Sequence, residues 1–312
     1  MRYGVLLNLR GPAATSASIV TSAVWADRLG YDTVWVSDHV VVPEQFSSQY
    51  PYGPPGTWTL AERQNFFEPF TVLAYVAGAT RGVRVGTGVL VAPQRNPVLM
   101  GKMFATLDVL SGGRVVIGVG AGWLREEFDA LGAGHLFAQR GAVTDEWLQI
   151  WKVLWTQETS TYQGRFFSLP PVRAFPKPVQ RPHPPILIGG NGRGARRRAV
   201  RLGDGWHPAR PALADLRTGV ADLRALAEAA GRPLSELQIG VRLNLRLGEP
   251  ARGPGELAGS PDEVRAQVAE LAELGLTNLD LDFSFTARRP HDPLNLESIE
   301  RFAALVGLTP RG

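Results

Sequence analysis

The sequence predicts an alternating α/β chain whose strands close into an eight-stranded parallel barrel. Three observations carry that prediction. A phrase of the form "LG, turn, apolar strand" recurs, as "RLGYDTVWV" at 28–36, "RLGDGWHP" at 201–208 and "ELGLTNLDLDF" at 273–283, and each reads as a helix end, a glycine beyond it and then a strand. The strands are continuous apolar runs, as expected when a parallel sheet is covered on both faces. Eight such runs in about 300 residues match a (β/α)8 TIM barrel; a doubly wound sheet would want G-x-G-x-x-G after the first strand, and none is there. The unequal spacing of the phrases excludes a solenoid of fixed period.

Taken in order, the first strand is Tyr3 to Asn8. Ile19, Ala23, Ala26 and Leu29 then mark one face of a helix that stops at Gly30. The second strand is Thr33 to Ser37, followed by an insertion from about Val41 to Phe67 dense in aromatics, prolines and glycines. The third and fourth strands are Val83 to Val91 and Val115 to Val119. A second insertion, Thr156 to Pro185, separates the fourth strand from the fifth, Ile186 to Gly189. Long loops in compact domains tend to be lids or binding elements. The sixth strand is Gly205 to His207, and Leu213, Leu216, Val220, Leu223 and Leu226 mark the helix that follows it. The seventh strand is Ile239 to Leu247. The helix from Pro261 carries a capping box, Ser260 with Glu263, and stops at Gly275 before the eighth strand, Asn278 to Phe283. No proline- or serine-rich linker divides the chain, so residues 1–312 are expected to form a single domain with insertions after strand 2 and between strands 4 and 5.

Composition narrows the function. The 312 residues, 44% hydrophobic and 20% charged, are enough for a large core. The start "MRYGVLLNLRGP" is too soon broken by Arg10, Gly11 and Pro12 to be a signal peptide or a membrane span, so a cytosolic, membrane-free location is expected. With no cysteine there is no disulfide, thiolate metal site or thiol nucleophile. Basic residues number 33 against 29 acidic ones, a net +4 spread along the chain, which argues against nucleic acid as a partner. Nearly all of that positive charge is arginine, the lysines being Lys102, Lys152 and Lys177.

In a barrel of this kind the active face is built at the strand C-termini. "TVWVSDHV" ends on Asp38 and His39, two residues able to hold or move protons; read alone, Asp38 serves equally well as a cap for the next segment. Thr87, Gly88 and Val89 end the third strand, Gly120, Ala121, Gly122 and Trp123 follow the fourth, Gly189, Gly190 and Asn191 the fifth, and His207 the sixth. Singly, those glycines read as bends; grouped, they also suit close backbone approach to a flat ligand. "IGGNGRGA" opens a helix whose free N–H groups suit phosphate. Of the arginines on that helix, Arg193 in the first turn is the one expected to meet an anion. A hydrolase metal site would want more strand-end histidines than His39 and His207, and a Schiff-base aldolase would want a strand-end lysine.

The phrases "LGYDTVWVSDH", "EPFTVLAYVAGATRGVRVGTGVLVAPQRNPVLMGKMFATLDVLSGGRVVIGVGAGWLREEFDALG", "PKPVQRPHPPILIGG" and "RLGDGWHP" closely resemble the bacterial luciferase-like monooxygenase superfamily, in particular its oxidoreductases that use the deazaflavin coenzyme F420. The resemblance implies a TIM barrel with a flavin or deazaflavin ring in its mouth, a small-molecule substrate and a homodimer. It implies that Asp38 touches the ring and that His39 faces the substrate as a proton donor or acceptor. It places a non-proline cis peptide at Gly88–Val89 that backs the ring, puts Gly120, Ala121 and Gly122 beside the cofactor, and makes Ile188, Gly189 and Gly190 the phosphate-side loop. Trp123 stands where the family's sugar-phosphate dehydrogenases carry an acidic residue; Trp123 and the aromatic first insertion therefore suggest an apolar or aromatic substrate surface, and His207 is a second substrate-side residue, available for acid-base work. The implied reaction is hydride transfer to an electron-poor C=C, C=N or C=O. FMN-dependent monooxygenation with a separate reductase is the alternative.

Overall fold

The computed structural model describes residues 1–52, 65–285 and 294–311; part of the first insertion, 53–64, lies outside them. In chain order the elements are β1 (Arg2–Leu6), α1 (Ser16–Arg28), β2 (Thr33–Val36), α2 (Pro69–Ala79), β3 (Arg84–Val91), α3 (Pro97–Leu110), β4 (Val115–Gly120), α4 (Arg125–Ala130) and α5 (Arg140–Thr156). There follow β5 (Ser160–Gln163), β6 (Ser168–Val172), β7 (Ile186–Gly189), α6 (Arg193–Leu202), β8 (Gly205–His207), α7 (Leu213–Ala229), β9 (Gln238–Leu247), β10 (Glu256–Gly259), α8 (Pro261–Glu273), β11 (Asn278–Asp282) and α9 (Leu296–Leu305).

Eight strands, β1, β2, β3, β4, β7, β8, β9 and β11, pair in parallel in that order, and β11 returns to β1 to close the ring. These are the eight runs the sequence predicts, with edges shifted by one or two residues. Most of their residues are buried, β2 and β4 at every position, as a strand covered by helices outside and by packed side chains inside requires. The anticipated start of α8 holds, with Ser260 and Glu263 forming the expected capping box, and α1 has a capping box of its own from Thr15 and Ser18.

Two features were not legible beforehand. β10 adds to the outer edge of β9, and the second insertion contains the antiparallel hairpin β5–β6. The hairpin exists because α5 holds it: buried Glu146 accepts hydrogen bonds from the backbone N–H groups of Arg165, Phe166 and Phe167 at 2.8–3.1 Å, and Phe167 packs edge-on against Trp147. An isolated two-stranded hairpin is marginal in water, so its local pattern carries little signal. The same helix fixes the next wall of the barrel. Trp147, Trp151 and Trp155, four residues apart on one face of α5, donate their indole N–H groups to the carbonyls of Arg95, Pro97 and Gly101 at 2.9, 3.0 and 2.8 Å. That locks the segment entering α3, and with it Arg95, beside the C-terminal end of β2.

Candidate active site

A cavity of about 610 Å³ opens at the C-terminal ends of the strands, a volume typical of small-molecule sites. Asp38, His39, Gly88, Val89, Gly120, Ala121, Gly122, Trp123, Gly189, Gly190 and His207 all line it. Ile188 stands apart: its side chain is 1% exposed and packs in the core rather than on the cavity wall.

The Gly88–Val89 peptide is cis, as the resemblance implies. The pairing of β3 with β4 shifts register between Thr87 and Leu90, which turns Val89 into the barrel mouth. A Cβ on Gly120 would sit 2.6 Å from one Val89 methyl and a Cβ on Gly189 2.5 Å from the other. These two glycines are therefore needed for the close approach of Val89 to β4 and, beyond it, β7. Close packing by the protein accounts for them before any ligand does.

Asp38 is tied more tightly than the sequence suggests. Its two carboxylate oxygens accept a bidentate pair from Arg95, both at 2.7 Å, and one of them also accepts the Val91 N–H at 2.8 Å. The carboxylate is wholly buried beside an Arg95 that is 15% exposed. Burial opposes the charge on that guanidinium, but the hydrogen bonds and charge of Asp38 outweigh it and raise the Arg95 pKa above its ordinary value. Asp38 thus pins the end of β2 to the exit of β3.

His39 occupies the cavity wall with its ring edge-on to Phe66 at 5.2 Å and to Trp123 at 6.3 Å. Its Nδ1 lies 2.8 Å from Oε2 of Glu127, whose other oxygen accepts the Val40 N–H at 2.7 Å. Glu127 is 1% exposed. Burial pushes its pKa up, but the hydrogen bond and charge of His39, with help from the Val40 N–H and Gln94, win and hold it below the usual carboxylate range. Sequence reading passed over Glu127; the one signal was the acidic pair in "WLREEF", three and four residues past Trp123 on the short α4.

The other acid of that pair, Glu126, clamps the first insertion. It accepts from the backbone N–H groups of Ser47 and Ser48 at 2.7 and 3.2 Å and from the Ser48 hydroxyl at 2.7 Å. Those bonds outweigh its slight desolvation and lower its pKa from 4.5 to about 2. A depressed folded-state pKa makes the clamp's contribution complete above pH 4.5 and loses it as pH falls toward about 2. Limited proteolysis within residues 41–52 should therefore quicken in Glu126→Ala at neutral pH and in the wild type only as the medium is acidified through that window. An unchanged cleavage pattern in the variant would show that the clamp does not hold the loop.

His207 sits on the floor of the cavity. Its ring stacks on Trp35 at 5.1 Å with 24° between planes, and its Nε2 lies 2.6 Å from Asp280. Both members of the pair are buried, at 3% and 2% exposure. Gly240 makes room for the ring, since a Cβ there would meet His207 Cδ2 at 2.6 Å.

On the β4–β7 side the lining is cationic. Arg198 on α6 donates to Asp145 and to the Gly141 carbonyl, and Arg140 donates to the Gly122 carbonyl at 3.0 Å. The amino end of α6 begins at Gly192 with no side-chain cap, and Gly190, Gly192, Gly194 and Ala195 all face the cavity. Arg193 does not: it is 60% exposed and pairs with Asp222 on α7. Helical phase explains the exchange, because Ala195 and Arg198 are three apart on the inner face while Arg193 and Arg196 both turn toward Asp222. Among the described residues no helix is long and apolar enough to cross a membrane, and no cluster of His, Cys, Asp and Glu could hold a metal ion.

Residues 1–252 match the family described as luciferase-like monooxygenase. An uncharacterized protein of Mycobacterium tuberculosis is 32% identical over 233 residues, covering 74% of this chain and 80% of its own. The FMNH2-dependent dimethylsulfone monooxygenase of Pseudomonas putida is 34% identical over 168 residues, 54% of this chain and 46% of that one. The F420-dependent glucose-6-phosphate dehydrogenase of Amycolatopsis mediterranei is 32% identical over 190 residues, 60% of this chain and 52% of that one. Among solved structures, a monooxygenase from Streptomyces bottropensis superposes with a TM-score of 0.77 at 24% identity over 99% of this chain and 100% of that one. The coenzyme F420 dependent tetrahydromethanopterin reductase from Methanopyrus kandleri does so at 0.79 and 17% identity over 99% of each chain; these two likenesses speak for the fold. A barrel closed in this strand order, with Val89 turned into its mouth and most of its length matched, belongs to the luciferase-like monooxygenase family.

Proposed function

We propose that the chain is an oxidoreductase acting on an electron-poor C=C, C=N or C=O of a small organic molecule, with coenzyme F420 as the hydride source and His39 as the proton donor. The observation that carries this reading is the His39–Glu127 pair on the cavity wall. An ionised Glu127 accepts a hydrogen bond from Nδ1–H, so it sets the tautomer and turns the ring. The proton exchanged with substrate then travels through Nε2.

The described residues suit a flat, anionic cofactor. Val89, framed by Gly120 and Gly189, offers an apolar platform, and the uncapped amino end of α6 with Arg140 and Arg198 offers donors for a phosphate. When bound, such a cofactor supplies two-electron redox chemistry that no side chain of this chain can perform. Asp38, at the edge of the cavity, holds the ends of β2 and β3 together through Arg95 and the Val91 N–H. Trp123 lies on the same wall as His39, which supports reading it as a substrate contact, whereas His207 on the floor is held by Asp280. The same reading has the chain working as a single-domain homodimer in the cytosol.

The 34% identity to an FMNH2-dependent monooxygenase supports a second reading, in which reduced FMN from a separate reductase takes the place of F420. Fluorescence titration with each cofactor separates the two. Binding of coenzyme F420 in the micromolar range with FMN inert is the expected result. The reverse pattern would replace the first reading by the second.

A further inference from the structure

The cavity holds three more guanidinium groups, and they lie away from the proposed phosphate side. Arg10 follows β1, Arg210 follows β8, and Arg242 is in β9. Arg242 donates to the Gly88 carbonyl at 2.9 Å. Arg210 donates to the Tyr50 hydroxyl and lies 5.5 Å from the centre of that ring. Its Nε is buried with no hydrogen-bond partner among the described residues. Arg242 and Arg10 are close enough to repel it, while the acid that favours it, Asp282, acts only through space. A half-buried guanidinium whose Nε is an unfilled buried donor beside two like charges is costly until an anion arrives. The backbone is committed to this position: Arg210 holds φ 47, unusual for a residue with a side chain, and its N–H is bonded to the Arg242 carbonyl at 2.8 Å.

Aromatic rings connect this cluster to His39. Tyr50, the partner of Arg210, meets Trp123 edge-on at 5.3 Å; Phe46 meets the same indole at 6.4 Å; and Trp123 meets His39 at 6.3 Å. The wall is therefore apolar and aromatic at the histidine and cationic at its far end. We infer that the substrate is an aromatic molecule bearing a carboxylate or an equivalent anionic oxygen, its ring against Trp123 and Tyr50 and its anion on Arg210 with Arg10. Planar guanidinium groups favour such oxygens because they donate two parallel hydrogen bonds. This rests on the reading that the His39 side of the cavity is the substrate side. It adds the class of molecule that side accepts.

The test is calorimetric titration of the full chain, with and without saturating coenzyme F420 or FMN, using 2-naphthoate and its neutral counterpart 2-naphthamide as probes. A hydrogen-bonded charge predicts that naphthoate binds at least about tenfold more tightly than naphthamide. Arg210→Gln should erase that preference while keeping cofactor affinity, and Arg198→Gln should do the opposite. Arg10→Gln, on the exposed rim, should weaken naphthoate binding severalfold and keeps the test open if Arg210→Gln folds poorly. Equal affinity of the two probes, an unchanged preference in both variants, or loss of naphthoate binding once cofactor is loaded would overturn the inference. Failure of both cofactors to bind with the naphthoate preference intact would instead overturn the cofactor reading alone.

Discussion

Replacing His39 by alanine is expected to lower turnover by about 100- to 10,000-fold, the usual worth of a positioned proton donor, while cofactor affinity stays within a few fold. The asymmetry follows from where the residue sits. Its ring is on the cavity wall among Phe66 and Trp123, whereas the cationic groups proposed for the cofactor phosphate are on the β4–β7 side. Glu127→Gln should produce a smaller fall in the same direction, because an amide can offer a donor to Nδ1 instead of an acceptor and so no longer fixes the tautomer and orientation of the ring. Steady-state rates combined with fluorescence titration of the cofactor resolve both effects. Full activity in His39→Ala would remove the histidine from the reaction and leave the pair a packing feature. Thermal melts of both variants guard against a trivial loss of fold.

Asp38→Ala should be the most destabilising single change at the site, by about 3–5 kcal/mol, the range for removing one member of a buried ion pair. Three hydrogen bonds are lost together: two from Arg95 and one from the Val91 N–H. Glu68, with its carboxylate 3.8 Å from Arg95, can compensate in part and draws the expectation toward the lower end of that range. Denaturant midpoints measured with an unchanged m-value would report it. A variant as stable as the wild type but unable to bind cofactor would instead make Asp38 a direct contact, as the family resemblance implied.

The strands and the ends they deliver were legible because their signals are local. Continuous apolar runs such as "RVVIGVG" and glycines such as Gly30 and Gly275, both at positive φ just beyond a helix, announce themselves within a few residues. Asp38 and His39 could be placed on the cavity rim for the same reason: they follow the second of eight countable strands. The partners of those residues could not be read this way. Arg95 is 57 positions from Asp38, and Glu127 is 88 from His39. Which acid of "REE" meets the histidine depends on the phase of a helix only six residues long.

The sequence by itself determined the barrel, the order of its strands and the set of polar and glycine residues at its open end, because burial on both faces of a parallel sheet leaves a composition that can be counted. Only the tertiary structure decided their uses. It gave Gly120 and Gly189 to the packing of Val89, and gave Asp38 to Arg95. It turned Arg198 inward and Arg193 out, and joined Arg210 to His39 through Tyr50 and Trp123. Each of these is a contact between residues brought together by closing the ring, and a chain read in one dimension carries no distance across a barrel.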